Sequence, residues 1–285
     1  MPLPFLRIRE DNRPTLASWP KQIFEWEELP ACYHDAVRPW VEDGMPLEHI
    51  LFIPRVHQNK LSQPQWVTAW HKDQVLILTD DGSAPPDVQL LTAADLCYLQ
   101  RDTRLLACTV TLHLTQGRTV RFGYNKTKEE QVVPVLNLLL GQQPDYLPVP
   151  GFQQCAGLAP LEEESFAMFH ASKPAYRLGE DAPFYFWARG KQKSRFFRQK
   201  EDPEYFAAPL KKGLCLVNTD FYGATVSYLP WEQLAALDAD AEQGLSARLQ
   251  NGETLTQPLL PQQLDRARTF CRQVQELHPL TKALL

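Results

Sequence analysis

The stretch Cys108-Thr109-Val110-Thr111-Leu112-His113-Leu114-Thr115-Gln116-Gly117-Arg118-Thr119-Val120-Arg121-Phe122-Gly123-Tyr124 sets the fold class. Cys108, Val110, Leu112 and Leu114 alternate with Thr109, Thr111 and His113, the period of two expected of a strand that buries one face. Gln116-Gly117 turns the chain, and Val120, Phe122 and Tyr124 alternate again on the return. The pattern predicts an antiparallel hairpin with one wet face. Thr127-Lys128-Glu129-Glu130 then reads as a capping box for a helix carrying Val132, Val133, Val135, Leu136, Leu139 and Leu140, with Gly141 as its stop. Pro134 conflicts with a start at Thr127, because an interior proline removes a helix hydrogen bond. The helix is therefore either kinked or begins later.

The same order of signals recurs further along. Leu245, Ala247 and Leu249 alternate before Asn251-Gly252, a hairpin turn because both residues tolerate positive φ. Pro261 then opens a helix with Leu264, Ala267, Phe270, Cys271, Val274 and Leu277 on one face, and Pro279 stops it. Upstream of the two hairpins, Val75-Leu76-Ile77-Leu78 runs into Thr79-Asp80, and Leu214-Cys215-Leu216-Val217 runs into Asn218-Thr219-Asp220. Earlier still, a polar, glycine-containing segment precedes Ile50-Leu51-Phe52-Ile53 in one half and Phe184-Tyr185-Phe186-Trp187 in the other. Between the halves, Gly141 to Gly151 holds three prolines and two glycines, which favours an extended connector. The expected organisation is a tandem duplication: residues 1–143 as an N-terminal segment plus first domain, 144–151 as a stiff linker, and 152–285 as the second domain. Trp19, Phe24, Trp26 and Trp40 make residues 1–40 too aromatic for a disordered tail, so they are expected to pack on the first domain.

Composition narrows the class. The 285 residues carry a formal net charge of -5, with 44% hydrophobic and 22% charged residues, an ordinary globular balance. No apolar run is long enough to span a membrane, and Met1 to Arg7 lacks the basic start and apolar run of a signal peptide. Six cysteines stand singly with no Cys-x-x-Cys, as buried thiols of a cytoplasmic protein would.

The paired motifs Leu76-Ile77-Leu78-Thr79-Asp80 with Leu91-Thr92-Ala93-Ala94-Asp95-Leu96, and Leu216-Val217-Asn218-Thr219-Asp220 with Leu229-Pro230-Trp231-Glu232-Gln233-Leu234, resemble bacterial pleckstrin-homology-like domains of the GRAM kind. The resemblance covers roughly residues 45–141 and 180–278. Where those families place a basic residue after the Thr-Asp or Thr-Asn, this chain has Asp81-Gly82 and Phe221-Tyr222. The resemblance implies a mainly β fold with α: two tandem bent antiparallel sheets or barrels, each closed by a C-terminal helix. Such domains serve as platforms for lipid headgroups, peptides or protein partners, and the fold alone does not choose among them.

The clearest chemical feature is the run Arg189, Lys191, Lys193, Arg195, Arg198 and Lys200, six basic residues with no acid from 189 to 200 and with Phe196-Phe197 between them. It suits an anionic headgroup or membrane surface. The plainer reading, a solvated basic face balanced by Glu201, Asp202 and Glu204, is favoured because each half of the chain holds more acidic than basic residues. The same acidity argues against nucleic acid as a partner. Trp66, Trp70, Phe184 to Trp187 and Trp231 are expected in core packing rather than in a ligand groove. The seven histidines form no metal-binding pattern, and phosphate loops and nucleophile elbows are missing, so no metal, cofactor or catalytic set is assigned.

These features favour a non-enzymatic binding or scaffold protein with a protein partner rather than a lipid. The alternatives are a peripheral binder of anionic lipid headgroups through loop 189–200, and a hydrolase at the domain interface built from His71, Asp80 or Asp81, and His113. A structural subunit whose hairpins pair edge to edge with neighbours is a further possibility.

Overall fold

A computed structural model describes residues 19–55, 57–58, 61–62, 64–82, 85–145, 158–172, 184–190, 203–220 and 223–278. The fold is mainly β with some helices. A five-stranded antiparallel sheet comprises β1 (Lys21–Gln22), β2 (Ile50–Ile53), β5 (Gln65–His71), β6 (Gln74–Asp80) and β7 (Asp87–Leu91) in that spatial order. The short strands β3 (His57–Gln58) and β4 (Leu61–Ser62) pair with each other between β2 and β5. Helix α1 (His34–Glu42) lies in the N-terminal segment between β1 and β2, and after β7 come β8 (Leu96–Arg104), β9 (Ala107–Leu114), β10 (Thr119–Asn125) and helix α2 (Glu129–Leu139). After α3 (Ala159–Glu164) and α4 (Phe166–Ser172) the strand series restarts: β11 (Phe186–Arg189), β12 (Glu204–Leu210), β13 (Gly213–Asp220), β14 (Gly223–Pro230), β15 (Leu234–Asp240), β16 (Gly244–Leu249) and β17 (Thr254–Gln257). Helix α5 (Leu264–Leu277) ends the described chain.

The halves repeat one order of elements. In each, four longer strands lead through a single 3-10 turn, Ala93–Asp95 or Trp231–Gln233, into three more strands. A second 3-10 turn, Lys126–Lys128 or Pro261–Gln263, then introduces the closing helix. Neither half keeps its strands to itself. The order β10-β9-β8-β14-β13-β12-β11 makes one seven-stranded antiparallel sheet across the chain midpoint. At its seam Leu99 faces Tyr228, Gln100 faces Ser227, Arg101 faces Val226 and Arg104 faces Gly223. Gln100 Nε2 donates to Ser227 Oγ at 3.3 Å, and Thr225 Oγ1 to Asp102 Oδ1 at 3.2 Å. Among the described residues none of the three main sheets closes into a barrel. Residues 144–145 form a turn, whereas 146–157, most of the expected linker, lie outside the described residues.

Burial explains the sequence patterns. On β9 Cys108, Val110, Leu112 and Leu114 are buried and the residues between them are not, so alternation survives. Strands β12 and β13 are covered on both faces, and Tyr205 to Leu210 and Gly213 to Val217 are accordingly buried without a break. One core lies between the five-stranded sheet, β8 to β10 and α2, and continues across the seam to Phe206, Cys215, Val217 and Val226 beneath Leu161 and Phe169. A second joins the other face of β12 to β14 to β15, β16 and α5. A third forms where Ile23, Leu29, Tyr33 and Val37 cover Ile50, Val67, Leu76 and Leu78, so the described part of the N-terminal segment, from residue 19, packs on the first sheet, while residues 1–18 lie outside the described residues.

Helix α2 begins at Glu129, and no capping box forms at Thr127. Asn125 instead accepts from the Thr127 N–H at 3.1 Å and caps the preceding 3-10 turn. The later start moves Pro134 toward the amino-terminal turns, where the lost hydrogen bond and the ring clash disturb fewer residues. The hairpins at Gln116-Gly117 and Asn251-Gly252 and the helix after Pro261 form where expected.

Candidate functional site

The residues proposed for a hydrolase are not brought together. His71 faces Gln74 at one end of the β5–β6 hairpin, and Asp80 faces Gln65 at the other. His71 Nε2 lies 3.2 Å from Asp43. His113 is on β9 in the other sheet, its ring stacked 3.9 Å from that of Tyr98. Burial lowers its pKa, opposed by the charge of Glu253. Asp80 is a structural tie. It accepts from Gln65 Nε2 at 2.6 Å, the Gly82 N–H at 2.7 Å and the Tyr33 hydroxyl at 3.0 Å, with Arg55 Nη2 3.7 Å away. Burial alone would raise its pKa, but these donors outweigh burial and hold it below the usual value. Among the described residues no cluster of three His, Cys, Asp or Glu side chains is arranged to hold a metal.

Of the basic run, only Arg189 lies among the described residues. Its Nε is 3.5 Å from Glu204, and its guanidinium rests 5.7 Å from the centre of the Trp187 ring. Lys191, Lys193, Arg195, Arg198 and Lys200 lie outside the described residues. The aromatics pack as expected: Trp66 and Phe186 are buried, Trp70 stacks on His49, and Trp231 Nε1 donates to the Leu210 carbonyl at 2.9 Å.

A groove that no single stretch of sequence announces lies at the seam. The Thr92-to-Asp95 corner forms one wall. It is pinned by a capping box in which both the Thr92 N–H and its hydroxyl donate to Asp95 Oδ2 at 2.8 Å. The matching corner of the second half, Pro230 to Gln233, forms another, tied down by the Trp231 bond to Leu210. The end of α2 and the β12–β13 turn complete a cavity of about 420 Å³. Leu96, Leu139, Leu140, Leu214 and Leu229 make its floor apolar, and Lys212 and Glu232 stand at its rim. Gly213, the first residue of β13, has no room for a side chain, since a Cβ there would come within 2.2 Å of the Leu229 carbonyl oxygen. This volume lies in the range of small-ligand and side-chain pockets.

Behind the groove, Tyr228 and Leu140 also line a second, smaller cavity with Arg101. Arg101 is 2% exposed and pairs with Glu129, 4% exposed, whose Oε1 also accepts from the Tyr124 hydroxyl at 3.2 Å. Burial works against the Arg101 charge, but the nearby Tyr124 and Glu129 oxygens outweigh it and keep the guanidinium protonated. At the opposite end of β8, Leu105 and Leu106 form the exposed tip of the β8–β9 hairpin. Among the described residues no helix is long and apolar enough to cross a membrane. Compared with models of known protein families and with curated proteins, the chain matches none.

Proposed function

We propose that the protein is a non-enzymatic binding module of two tandem pleckstrin-homology-like units, and that the groove at their seam takes an apolar segment of a protein partner in the cytoplasm. The twofold run of four strands, corner, three strands and closing helix supports the tandem reading. The groove carries the functional one: about 420 Å³ with a leucine-rich floor and one charge of each sign at the rim suits a peptide better than a polyanion. A binding protein built this way holds its ligand with walls from both halves, so binding and the seam are coupled.

The test is selection of a displayed peptide library on the purified protein, with Ala94→Trp to fill the groove mouth. Apolar-anchored peptides that bind the wild type and lose affinity for Ala94→Trp would support the reading. Peptides that bind both proteins equally, or none at all, would overturn it. Turnover of a hydrolase or transferase substrate that Ala94→Trp abolishes would make the groove an active site instead.

A further inference from the structure

Tyr205 ends in a hydroxyl that the fold does not use. The side chain is 8% exposed, and among the described residues its oxygen has no hydrogen-bond partner. Burial alone pushes its pKa up, as expected of a phenol that no donor or cation meets. The sequence makes room for this ring: a Cβ on Gly190, just past β11, would lie 2.2 Å from Tyr205 Cε2. A phenylalanine would pack in the same space without desolvating a hydroxyl. The hydroxyl instead belongs to a residue lining a cleft of about 230 Å³. A buried polar group with no partner in its own fold is the mark of a functional position.

The register of the seven-stranded sheet builds the cleft floor. Tyr205 faces Asn218, Asn218 faces Thr225 and Thr225 faces Asp102, so one polar row crosses the seam on a single face. Two residues along, Asp220, Gly223 and Arg104 form the next row of that face. Thr256 and Pro258, at the end of β17, make the opposite wall. Gln257, 1% exposed, donates to Asn218 Oδ1 at 2.7 Å, which occupies the acceptor of that amide and leaves its NH2 as a donor for the cleft. The Thr225 hydroxyl donates to Asp102 Oδ1 at 3.2 Å and so offers its oxygen as an acceptor. Arg104 lies 3.2 Å from Asp102 and 3.6 Å from Asp220, and Asp220 also accepts from the Gly223 N–H at 2.9 Å. One cation between two carboxylates leaves no spare positive charge for an anion. A wholly apolar ligand would strip water from the hydroxyls and the amide and return nothing.

We propose that this cleft binds one neutral sugar residue, whose hydroxyls meet the Tyr205 hydroxyl, the Asn218 NH2 and the Thr225 and Thr256 hydroxyls. Each sugar hydroxyl both donates and accepts, which matches a lining that offers both. The Tyr205 ring, Pro203 and Pro258 supply the small apolar surface that the C–H face of such a ring needs. The seam groove is a separate site. Gly223 in the cleft and Pro230 in the groove stand at opposite ends of β14, roughly 23 Å apart by strand rise. Each site can therefore fail without the other.

The experiment is an NMR titration of the full chain with the methyl glycosides of glucose, galactose, mannose and N-acetylglucosamine, and with inorganic phosphate as the anionic control. At least one glycoside should bind saturably and phosphate should not. Tyr205→Phe should raise the Kd for that glycoside roughly three- to tenfold, and Thr256→Val should raise it in the same direction. Because phenylalanine strands no hydroxyl, the urea midpoint of Tyr205→Phe should be unchanged or higher, which separates lost binding from lost fold. Ala94→Trp should bind the glycoside like wild type. The proposal is overturned if no glycoside binds saturably, if phosphate binds more tightly than every glycoside, or if Tyr205→Phe keeps wild-type affinity. Glycoside binding that Ala94→Trp abolishes would place the sugar in the seam groove and overturn it as well.

Discussion

Replacing Gly223 by alanine tests the most consequential feature of the fold, the joining of two halves in one sheet. Gly223 stands opposite Arg104 at the β14–β8 seam. A Cβ there would lie 2.0 Å from the Thr103 carbonyl oxygen and 3.0 Å from its carbon. Carbon and oxygen normally approach no closer than roughly 3.3 Å, and the obstacle is backbone rather than a side chain that can swing away. The strands must part locally by more than an ångström, enough to carry a hydrogen bond past its useful length. Overpacking of this kind costs about 1–3 kcal/mol, and one or two weakened ladder bonds add about 1 kcal/mol each. The expected loss is therefore about 2–5 kcal/mol. Gly117→Ala is the control: its φ is +76° and nothing lies within 4 Å of the new methyl, so only the left-handed backbone penalty of about 1–2 kcal/mol applies. Urea unfolding followed by tryptophan fluorescence reads both. If Gly223→Ala proves no worse than Gly117→Ala, β14 does not lie against β8 and the shared sheet is wrong.

Three further outcomes follow from the same geometry. Gln100→Cys with Ser227→Cys, in a chain whose Cys32 and Cys155 are replaced by serine, should oxidise to a disulfide and shift mobility on a non-reducing gel, since the parent side chains touch across the seam. Glu129→Gln should cost about 3–5 kcal/mol by stranding the buried Arg101 charge, while Arg101→Met with Glu129→Leu should recover most of it; equal losses in both, by chemical denaturation, would contradict the pairing. Asp80 has a folded pKa below its unfolded one, so its stabilisation is full above about pH 4 and fades as the pH falls through the lowered value. Asp80→Asn should cost about 1–3 kcal/mol at neutral pH and flatten the acid limb of a stability-against-pH curve; an unchanged limb would remove Asp80 from the account.

Much of the secondary structure was legible because alternation and helical spacing are local. The β9–β10 hairpin, the Asn251-Gly252 turn and α5 follow directly from residues within one stretch. Which strands become neighbours is a different matter. A period of two tells which side chains face the core but not whose backbone lies alongside, so nothing in Leu96 to Arg104 announces Gly223 to Pro230 as its partner. The unbroken apolar run at Tyr205 to Leu210 did carry a usable signal, since burial on both faces is the reason for it. The later start of α2 is one of the two alternatives that Pro134 leaves open: Thr127 and Glu130 have the spacing of a cap, but Asn125 caps the 3-10 turn before Glu129 instead. The seam groove was invisible because its walls come from four separated stretches that are individually ordinary.

The shared sheet also constrains how the chain can be made. Gln100 and Ser227 are 127 residues apart, so β8 waits for most of the polypeptide to leave the ribosome before its partner exists. During that interval the nascent first half displays a bare row of amide and carbonyl groups, the kind of template on which neighbouring chains misassemble. Contacts of such long sequence separation also slow the final step of folding. A fragment ending near residue 143 would carry that bare row permanently, which makes the intact chain, and not either half, the unit of folding.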